Sequence, residues 1–238
     1  LIEEPNLDIN NRVFIFSGKA APGYHLAKNI IELIVAIAKK VNDDKRIKGK
    51  IKVILLENYK VSLAELIIPG TDISEQISTT TKEASGTSNM KFMMNGALTV
   101  ATLDGANIEI RDAVGEDNII IFGLKAEEVF KYYKEGGYSS YEIYNTDSKV
   151  KRVMDSLIDG TLAEDKDRFK LIHDNILKYN DEFFILKDFK SYIEAQDKID
   201  KMFFNKYKWQ QKALINIASS GIFSSDRTIS EYNNKIWI

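Results

Sequence analysis

Residues 83–91 read Glu83-Ala-Ser-Gly-Thr-Ser-Asn-Met-Lys91, a small polar run that leads into a predicted helix over residues 89–97. Gly86 can adopt a backbone conformation that a Cβ atom forbids to other residues. Three residues of the run are candidate N-caps, namely Thr87, Ser88 and Asn89. A helix start of this kind presents free N–H groups and the positive end of the helix dipole, which together favour phosphate. Because Lys91 falls within the first turn, the run predicts a phosphate site with an amine beside it.

The amine of Lys91 has two candidate roles beside a bound phosphate. It could neutralise the phosphate charge, or it could form a Schiff base with a phosphorylated aldehyde. A plainer interpretation also exists, because a Ser/Thr-rich segment before a helix is usually only a cap. Lys91 would then be an exposed lysine in the first turn. The residue types by themselves leave these interpretations open.

The composition indicates an ordinary globular protein of one or two domains. The chain has 238 residues, of which 44% are hydrophobic and 29% charged, and its 33 Lys and Arg nearly balance 35 Asp and Glu. Nothing in that balance favours a nucleic acid partner. Cysteine is absent, which excludes disulfides and thiolate metal sites and fits a reducing cytosol, and we expect no metal site around the two histidines. No signal peptide or membrane span is visible, so we predict a cytoplasmic protein without a membrane partner. The first residue is not methionine, which we expect of a fragment boundary.

Two predicted strands organise the first part of the chain. Residues 12–17 are a β-branched and aromatic run that indicates a buried strand, and residues 51–56 are a second strand-like run. Between them, apolar residues recur at helical spacing up to about Lys40. Strand, helix and strand in this order predict a parallel sheet with a right-handed crossover. The loops over 18–24 and 57–60 should therefore leave the same edge of the sheet, where α/β proteins bind ligands.

The rest of the chain changes from mixed to helical character. Up to residue 123 we predict a short helix over 62–68, a turn of helix over 71–77, strands over 98–103 and 118–122, and an Asp104-Gly105 hairpin leading to 108–110. After that the apolar spacing is helical, with a helix over 125–134 and a later helix capped by Asp188. The predicted domains are an α/β core over 1–124 and a helical extension over 125–238.

Longer stretches of the sequence resemble one enzyme family. Residues 83–99, followed by Asp104-Gly-Ala-Asn107, resemble the pyridoxal phosphate (PLP) segment of the glycogen (α-glucan) phosphorylases. The likeness extends over four further stretches, namely 14–25, 61–65, 73–78 and 218–229. It implies the C-terminal part of such an enzyme, with the fold of the C-terminal Rossmann-like domain of a GT-B glycosyltransferase and a helical tail. The implied reaction is reversible phosphorolysis of α-1,4-glucan to glucose 1-phosphate, with retention at the anomeric carbon.

The same resemblance implies residues that hold the cofactor. The lysine matching Lys91 carries PLP as an imine, and the PLP phosphate relays a proton next to inorganic phosphate. The residues matching Thr87 and Ser88 contact that phosphate; Ser88 stands where many relatives have glycine, a change that leaves a backbone contact intact. Tyr59 matches a tyrosine that lies against the cofactor. Lys60 stands where many relatives have arginine, so a bidentate phosphate contact is not expected there.

Substrate and inhibitor contacts are implied at two further places. Residues 83–86 (Glu83, Ala84, Ser85 and Gly86) match the segment that hydrogen-bonds the sugar hydroxyls, which need fixed polar partners. The alternative for Glu83 is a solvated loop carboxylate. Tyr24 matches a tyrosine that stacks aromatic inhibitors in animal phosphorylases, and its alternative is a turn aromatic at the rim of the core.

Several expectations concern the chain as a whole. A GT-B active site lies between two domains, so we expect this chain alone to have little or no phosphorylase activity, and full-length family members are homodimers. A second hypothesis is a separate module that binds PLP or a partner protein through its helical tail. A third is an unrelated PLP enzyme in which Asp104 pairs with the pyridinium nitrogen.

Overall fold

The structure, a computed structural model, describes Leu1 and residues 4–237. It is a mixed α/β protein with short parallel sheets, which confirms the predicted class. The chain divides into two compact units: unit 1 comprises Leu1–Val61 and Tyr138–Lys187, and unit 2 comprises Ser62–Gly137 and Asp188–Ile238. The boundary that we expected after residue 124 stays a prediction.

The described residues form the following strands and helices. The strands are β1 (Arg12–Ser17), β2 (Ile51–Leu56), β3 (Ile73–Gln76), β4 (Leu98–Ala101) and β5 (Ile120–Ile121). The helices are α1 (His25–Asp43), α2 (Val61–Ile67), α3 (Ser88–Met94), α4 (Asn107–Val114), α5 (Ala126–Glu135), α6 (Ser140–Thr146), α7 (Ser148–Asp155), α8 (Lys170–Leu177), α9 (Ile185–Phe204), α10 (Lys206–Ser219) and α11 (Ser225–Tyr232). In the part of the chain that the structure describes, no helix has the length and apolar character needed to cross a membrane.

Unit 1 contains the predicted strand–helix–strand arrangement. β1 and β2 pair in parallel from Arg12 opposite Ile51 to Ser17 opposite Leu56, and the Ser17 hydroxyl donates to the Leu56 carbonyl at 3.1 Å. Both loops that follow these strands therefore leave the same sheet edge, as predicted. The predicted burial of β1 is wrong: Val13 is 56% exposed, because alternate residues of a strand share one face and this face of β1 is open.

Unit 2 contains a three-stranded parallel sheet in the order β3–β4–β5. β4 is its central strand, and Leu98 and Val100 are fully buried. They pack in an apolar core with residues from both chain stretches of the unit, namely Ile120 and Phe122 from the first and Ala195, Ile199 and Trp209 from the second. The helix predicted over 71–77 is wrong, because residues 73–76 pair with β4 as strand β3. A tertiary pairing of this kind outweighs local preference in a short segment.

The predicted Asp104-Gly105 hairpin is also wrong. The chain instead enters helix α4, whose N-cap Ala106 is buried together with Ile110 and Val114 at a spacing of four residues. Gly105 has φ +51°, and a Cβ there would lie 2.6 Å from the Ser85 carbonyl oxygen. The turn therefore packs directly against the loop that contains Ser85, and the chain continues into a helix there instead of returning as a paired strand.

Two helix predictions had different outcomes. The helix expected over 125–134 is present as α5 (Ala126–Glu135). The cap predicted at Asp188 is wrong, because α9 already begins at Ile185. The Asp188 carboxylate instead accepts a hydrogen bond from the backbone N–H of Leu124, at 2.8 Å.

Candidate functional site

The loop over 83–87 lies in unit 2 and is held by the turn after β4. The Glu83 backbone N–H donates to Asp104 Oδ2 at 2.8 Å, and the Ala106 N–H donates to the Ser85 carbonyl at 2.8 Å. Gly86 then turns the chain with φ +84°. The two hydrogen bonds and the glycine turn give the loop one conformation as it enters α3.

A pair of buried asparagines ties α3 to α4 beneath this loop. Asn89 Nδ2 donates to Asn107 Oδ1 at 3.0 Å, and Asn107 Nδ2 donates to the Thr102 carbonyl at 3.2 Å. Only 1% of Asn89 and 3% of Asn107 is exposed. The sequence presented Asn89 only as a candidate cap and gave Asn107 no structural role. The one sequence feature that could have indicated this role is the position of both asparagines at the N-terminal end of a helix.

The first turn of α3 presents unpaired donors. The N-cap is Thr87, whose side chain makes no capping hydrogen bond. Within the described part of the chain, the backbone N–H groups of Ser88 and Asn89 have no acceptor, while the Ser88 hydroxyl lies 3.3 Å from Gln76 Nε2. Free N–H groups at a helix start bind anions. A Cβ at Gly86 would lie 3.1 Å from Asn89 Nδ2, so glycine at this position keeps the space beside Asn89 free of a side chain.

Lys91 is the fourth of the seven residues of α3 and lies in its last turn, whereas the sequence predicted the first turn. Its side chain is exposed, and across residues 4–237 its ammonium group has no hydrogen bond or ion pair. Thr87 is exposed as well. The amine of Lys91 is thus accessible and, among the described residues, has no competing partner.

The other predicted contacts with cofactor and inhibitor belong to unit 1. Tyr24 precedes α1 and is 53% exposed, and Tyr59, in the turn after β2, is 37% exposed. Lys60 follows Tyr59 and is exposed too. The turn depends on Asn58, whose φ is +50°. These residues share the sheet edge at which β1 and β2 end, whereas residues 83–91 form one continuous segment of unit 2.

The donors at the start of α3 fit a phosphorylated aldehyde such as PLP. Two unpaired amides, at Ser88 and Asn89, can hold a phosphate, and the amine of Lys91 can reach a carbonyl group nearby. The Glu83 carboxylate is half-buried and lies 3.4 Å from the Ser78 hydroxyl, where it can accept hydrogen bonds from a ligand. These groups stand within nine consecutive residues.

Comparison with known proteins gives matches along the whole chain. The family described as carbohydrate phosphorylase matches residues 1–238. The glycogen phosphorylase of Bacillus subtilis (strain 168) is 54% identical over 237 residues, which cover 100% of this chain and 30% of the relative. The human liver form is 50% identical over 227 residues, which cover 95% of this chain and 27% of the relative. The glycogen phosphorylase of Haemophilus influenzae is 48% identical over 238 residues, or 100% of this chain and 29% of the relative. The chain spans somewhat under a third of the length of these curated relatives.

Proposed function

The chain belongs to the carbohydrate phosphorylase family, and on that premise we propose that it forms part of a PLP-dependent glycogen (α-glucan) phosphorylase. The proposed reaction is reversible phosphorolysis of α-1,4-glucan to glucose 1-phosphate, with retention at the anomeric carbon. The proposed fold is the C-terminal Rossmann-like domain of a GT-B glycosyltransferase followed by helices. One observation carries the proposal: the unpaired amides of Ser88 and Asn89 and the unpaired amine of Lys91 belong to the same short helix, in a chain that matches this family throughout.

The proposed cofactor contacts assign a separate task to each residue. Pyridoxal 5′-phosphate, when bound, supplies a carbonyl for covalent attachment and a phosphate that can relay a proton. The Lys91 amine holds the carbonyl end and serves mainly as a tether. The amides of Ser88 and Asn89 and the hydroxyl of Thr87 hold the phosphate end, where the helix dipole favours negative charge. We also propose that Tyr59 lies against the ring and that Lys60 adds a single positive charge.

The proposed sugar contacts use the groups of the loop over 83–87 that are not bonded to the turn after β4. The Glu83 amide and the Ser85 carbonyl are already bonded to the turn after β4, so they position the loop. The Glu83 carboxylate remains as an acceptor for sugar hydroxyls, with Ala84 and Gly86 offering backbone groups close to the ligand. Tyr24, with half of its surface exposed, is proposed to stack on aromatic inhibitors.

We propose that the activity of a whole phosphorylase requires a longer polypeptide than these 238 residues. The chain covers 27–30% of its relatives, and Lys91 is exposed. We therefore propose that the other wall of the active site, and the homodimer of the complete enzyme, depend on further chain. The family match rules out the alternative of an unrelated PLP enzyme that uses Asp104. Asp104 Oδ2 instead accepts from the Glu83 amide.

Covalent attachment of the cofactor tests the proposal. The purified chain is incubated with PLP, reduced with borohydride and digested, and the labelled peptide is identified by mass spectrometry. We expect the label on Lys91 and its loss in Lys91→Ala, while Lys131→Ala, at an exposed lysine of α5, keeps it. Because Lys91 is exposed and unpaired in the described structure, its replacement should change the free energy of unfolding by less than about 0.5 kcal/mol. A label that remains on another lysine in Lys91→Ala would contradict the assignment.

A further inference from the structure

A second candidate site lies in unit 2, in the groove between α9 and α10. The groove encloses about 570 Å³, a volume within the usual range for small-molecule sites. Met202, which is half-buried, forms part of its lining. The opposite face of α9 packs Ala195 and Ile199 into the core, so the helix that carries this groove is firmly seated. The groove shares no residue with the segment over 83–91.

Lysines dominate one end of the groove. Lys198 and Lys201 lie on α9 and Lys208 on the first turn of α10, and all three are exposed. Within the described ranges none of the three has an ion pair or a hydrogen bond from its ammonium group. A fourth lysine, Lys212, is already engaged, because its ammonium donates to the Asp117 carbonyl. Three unpaired cations around one concavity attract an anion.

The start of α10 strengthens this attraction. Asn205 caps the helix by accepting a hydrogen bond from the Lys208 N–H at 3.1 Å. The dipole of this 14-residue helix places positive potential at its first turn, which is an unfavourable position for the charge of Lys208. An anion bound between Lys201 and Lys208 would relieve that repulsion and would gain charge-assisted hydrogen bonds.

Carboxylates line the other end of the groove. Glu194 and Asp197 stand on the same face of α9, and Glu194 precedes Lys201 by seven residues, about 10 Å along the helix axis. Among the residues that the structure describes, they form no ion pair with the lysines four residues on, although that spacing permits one. Unpaired carboxylates are strong acceptors for hydroxyl groups. One end of the groove therefore suits an anion and the other suits hydroxyls.

We propose that the groove between α9 and α10 binds a phosphomonoester of a polyhydroxylated compound, that is, a sugar phosphate. Lys201 and Lys208 hold the phosphate, and Lys198 adds positive charge beside them. Glu194 and Asp197 accept hydrogen bonds from the sugar hydroxyls. This site is independent of the proposed cofactor site on α3 and exists whether or not the chain binds PLP.

Isothermal titration calorimetry with glucose 1-phosphate tests the proposal on the complete 238-residue chain. We expect one binding site, and we expect Lys201→Gln/Lys208→Gln to weaken binding at least about tenfold, since each replacement removes a charge-assisted contact. The matched control, Lys131→Gln/Lys134→Gln on α5, makes the same change in net charge at exposed positions and should alter affinity less than about twofold. All these side chains are exposed, and thermal melts of the variants check that the fold is kept.

A further variant separates the two ends of the groove. Glu194→Gln should weaken binding of glucose 1-phosphate and leave binding of inorganic phosphate unchanged or stronger. The proposal is overturned if the unaltered chain binds no glucose 1-phosphate or if both lysine pairs lose equal affinity.

Discussion

At the scale of single residues, the candidate site separates groups that hold it together from groups that are free to react. Asn89 and Asn107 are buried and hydrogen-bonded to each other and to the backbone. Lys91, two residues further along α3 than Asn89, is exposed and unpaired in the described structure. Asn89 and Asn107 therefore stabilise the site, and the amine of Lys91 contributes little to its stability.

Asn89 provides the first test at this scale. Replacing it by alanine leaves Asn107 Oδ1 without its buried donor, so we expect Asn89→Ala to lower the free energy of unfolding by about 1–3 kcal/mol. Urea unfolding followed by circular dichroism measures this loss. Asn145→Ala, at an exposed position of α6, should change it by less than about 0.5 kcal/mol. Similar losses in both variants would show that the buried pair has no special role.

Asp181 in unit 1 predicts a dependence of stability on pH. It is 1% exposed, and burial raises its pKa above the usual 3.8, although Tyr138 and the Leu186 N–H donate to its Oδ2 at 2.8 and 3.0 Å. Because the folded chain holds this proton more tightly than the unfolded chain, the contribution of Asp181 to stability is largest below pH 3.8. It declines as the pH rises through the raised pKa.

The variant Asp181→Asn removes this titration. Its amide oxygen can still accept a hydrogen bond from Tyr138. Because the variant does not lose the stability that protonated Asp181 gives, its stability relative to the unaltered chain should increase as the pH rises from about 4 towards neutral. Urea unfolding at a series of pH values gives the difference. A difference that is constant with pH would contradict the prediction, and Asp226→Asn, at an exposed carboxylate of α11, is the control.

At the scale of elements, the first two turns of α9 hold the connection between β5 and α5. Asp188 accepts from the Leu124 N–H at 2.8 Å, and the Ser191 hydroxyl accepts from the Gly123 N–H at 3.0 Å. From the other side, Thr80 donates to the Leu124 carbonyl at 2.7 Å. Asp188, which the sequence predicts as a helix cap, instead accepts a hydrogen bond from the connection after β5, 64 residues earlier in the chain.

Replacing Asp188 tests the importance of this connection. Asp188→Ala leaves a buried N–H without an acceptor, and we expect a loss of about 1–3 kcal/mol in the free energy of unfolding. Asp197→Ala, at an exposed carboxylate on the same helix, should cost less than about 0.5 kcal/mol. Hydrogen exchange at Leu124, measured by NMR, should accelerate only in the first variant. Unchanged protection there would count against the contact.

At the scale of the whole molecule, each unit is built from two separate stretches of the chain. Strand β4 and helices α9 and α10 form one core, in which Leu98 packs with Ile199 and Trp209. Strand β4 is therefore covered by residues more than 90 positions further along the chain.

Catalysis is a property that we expect only from a longer polypeptide. The chain covers 30% or less of its relatives, and the candidate cofactor residues Thr87 and Lys91 are exposed. We predict that the purified chain, even with PLP attached, releases no measurable glucose 1-phosphate from glycogen and inorganic phosphate. A coupled assay for glucose 1-phosphate measures this, with a full-length glycogen phosphorylase as positive control. Turnover comparable to that control would refute the prediction.

The sequence by itself determined the α/β class, the family, strands β1 and β2 with their parallel pairing, and the presence of a helix that contains Lys91. These features depend on residues close together in the chain, where periodicity and motif carry the information. Only the tertiary structure decided that residues 73–76 form a strand, that residues 107–114 form a helix, and that Asn89 and Asn107 are buried partners. Those outcomes depend on contacts between distant segments, which override the weak preferences of short segments and which no local pattern encodes.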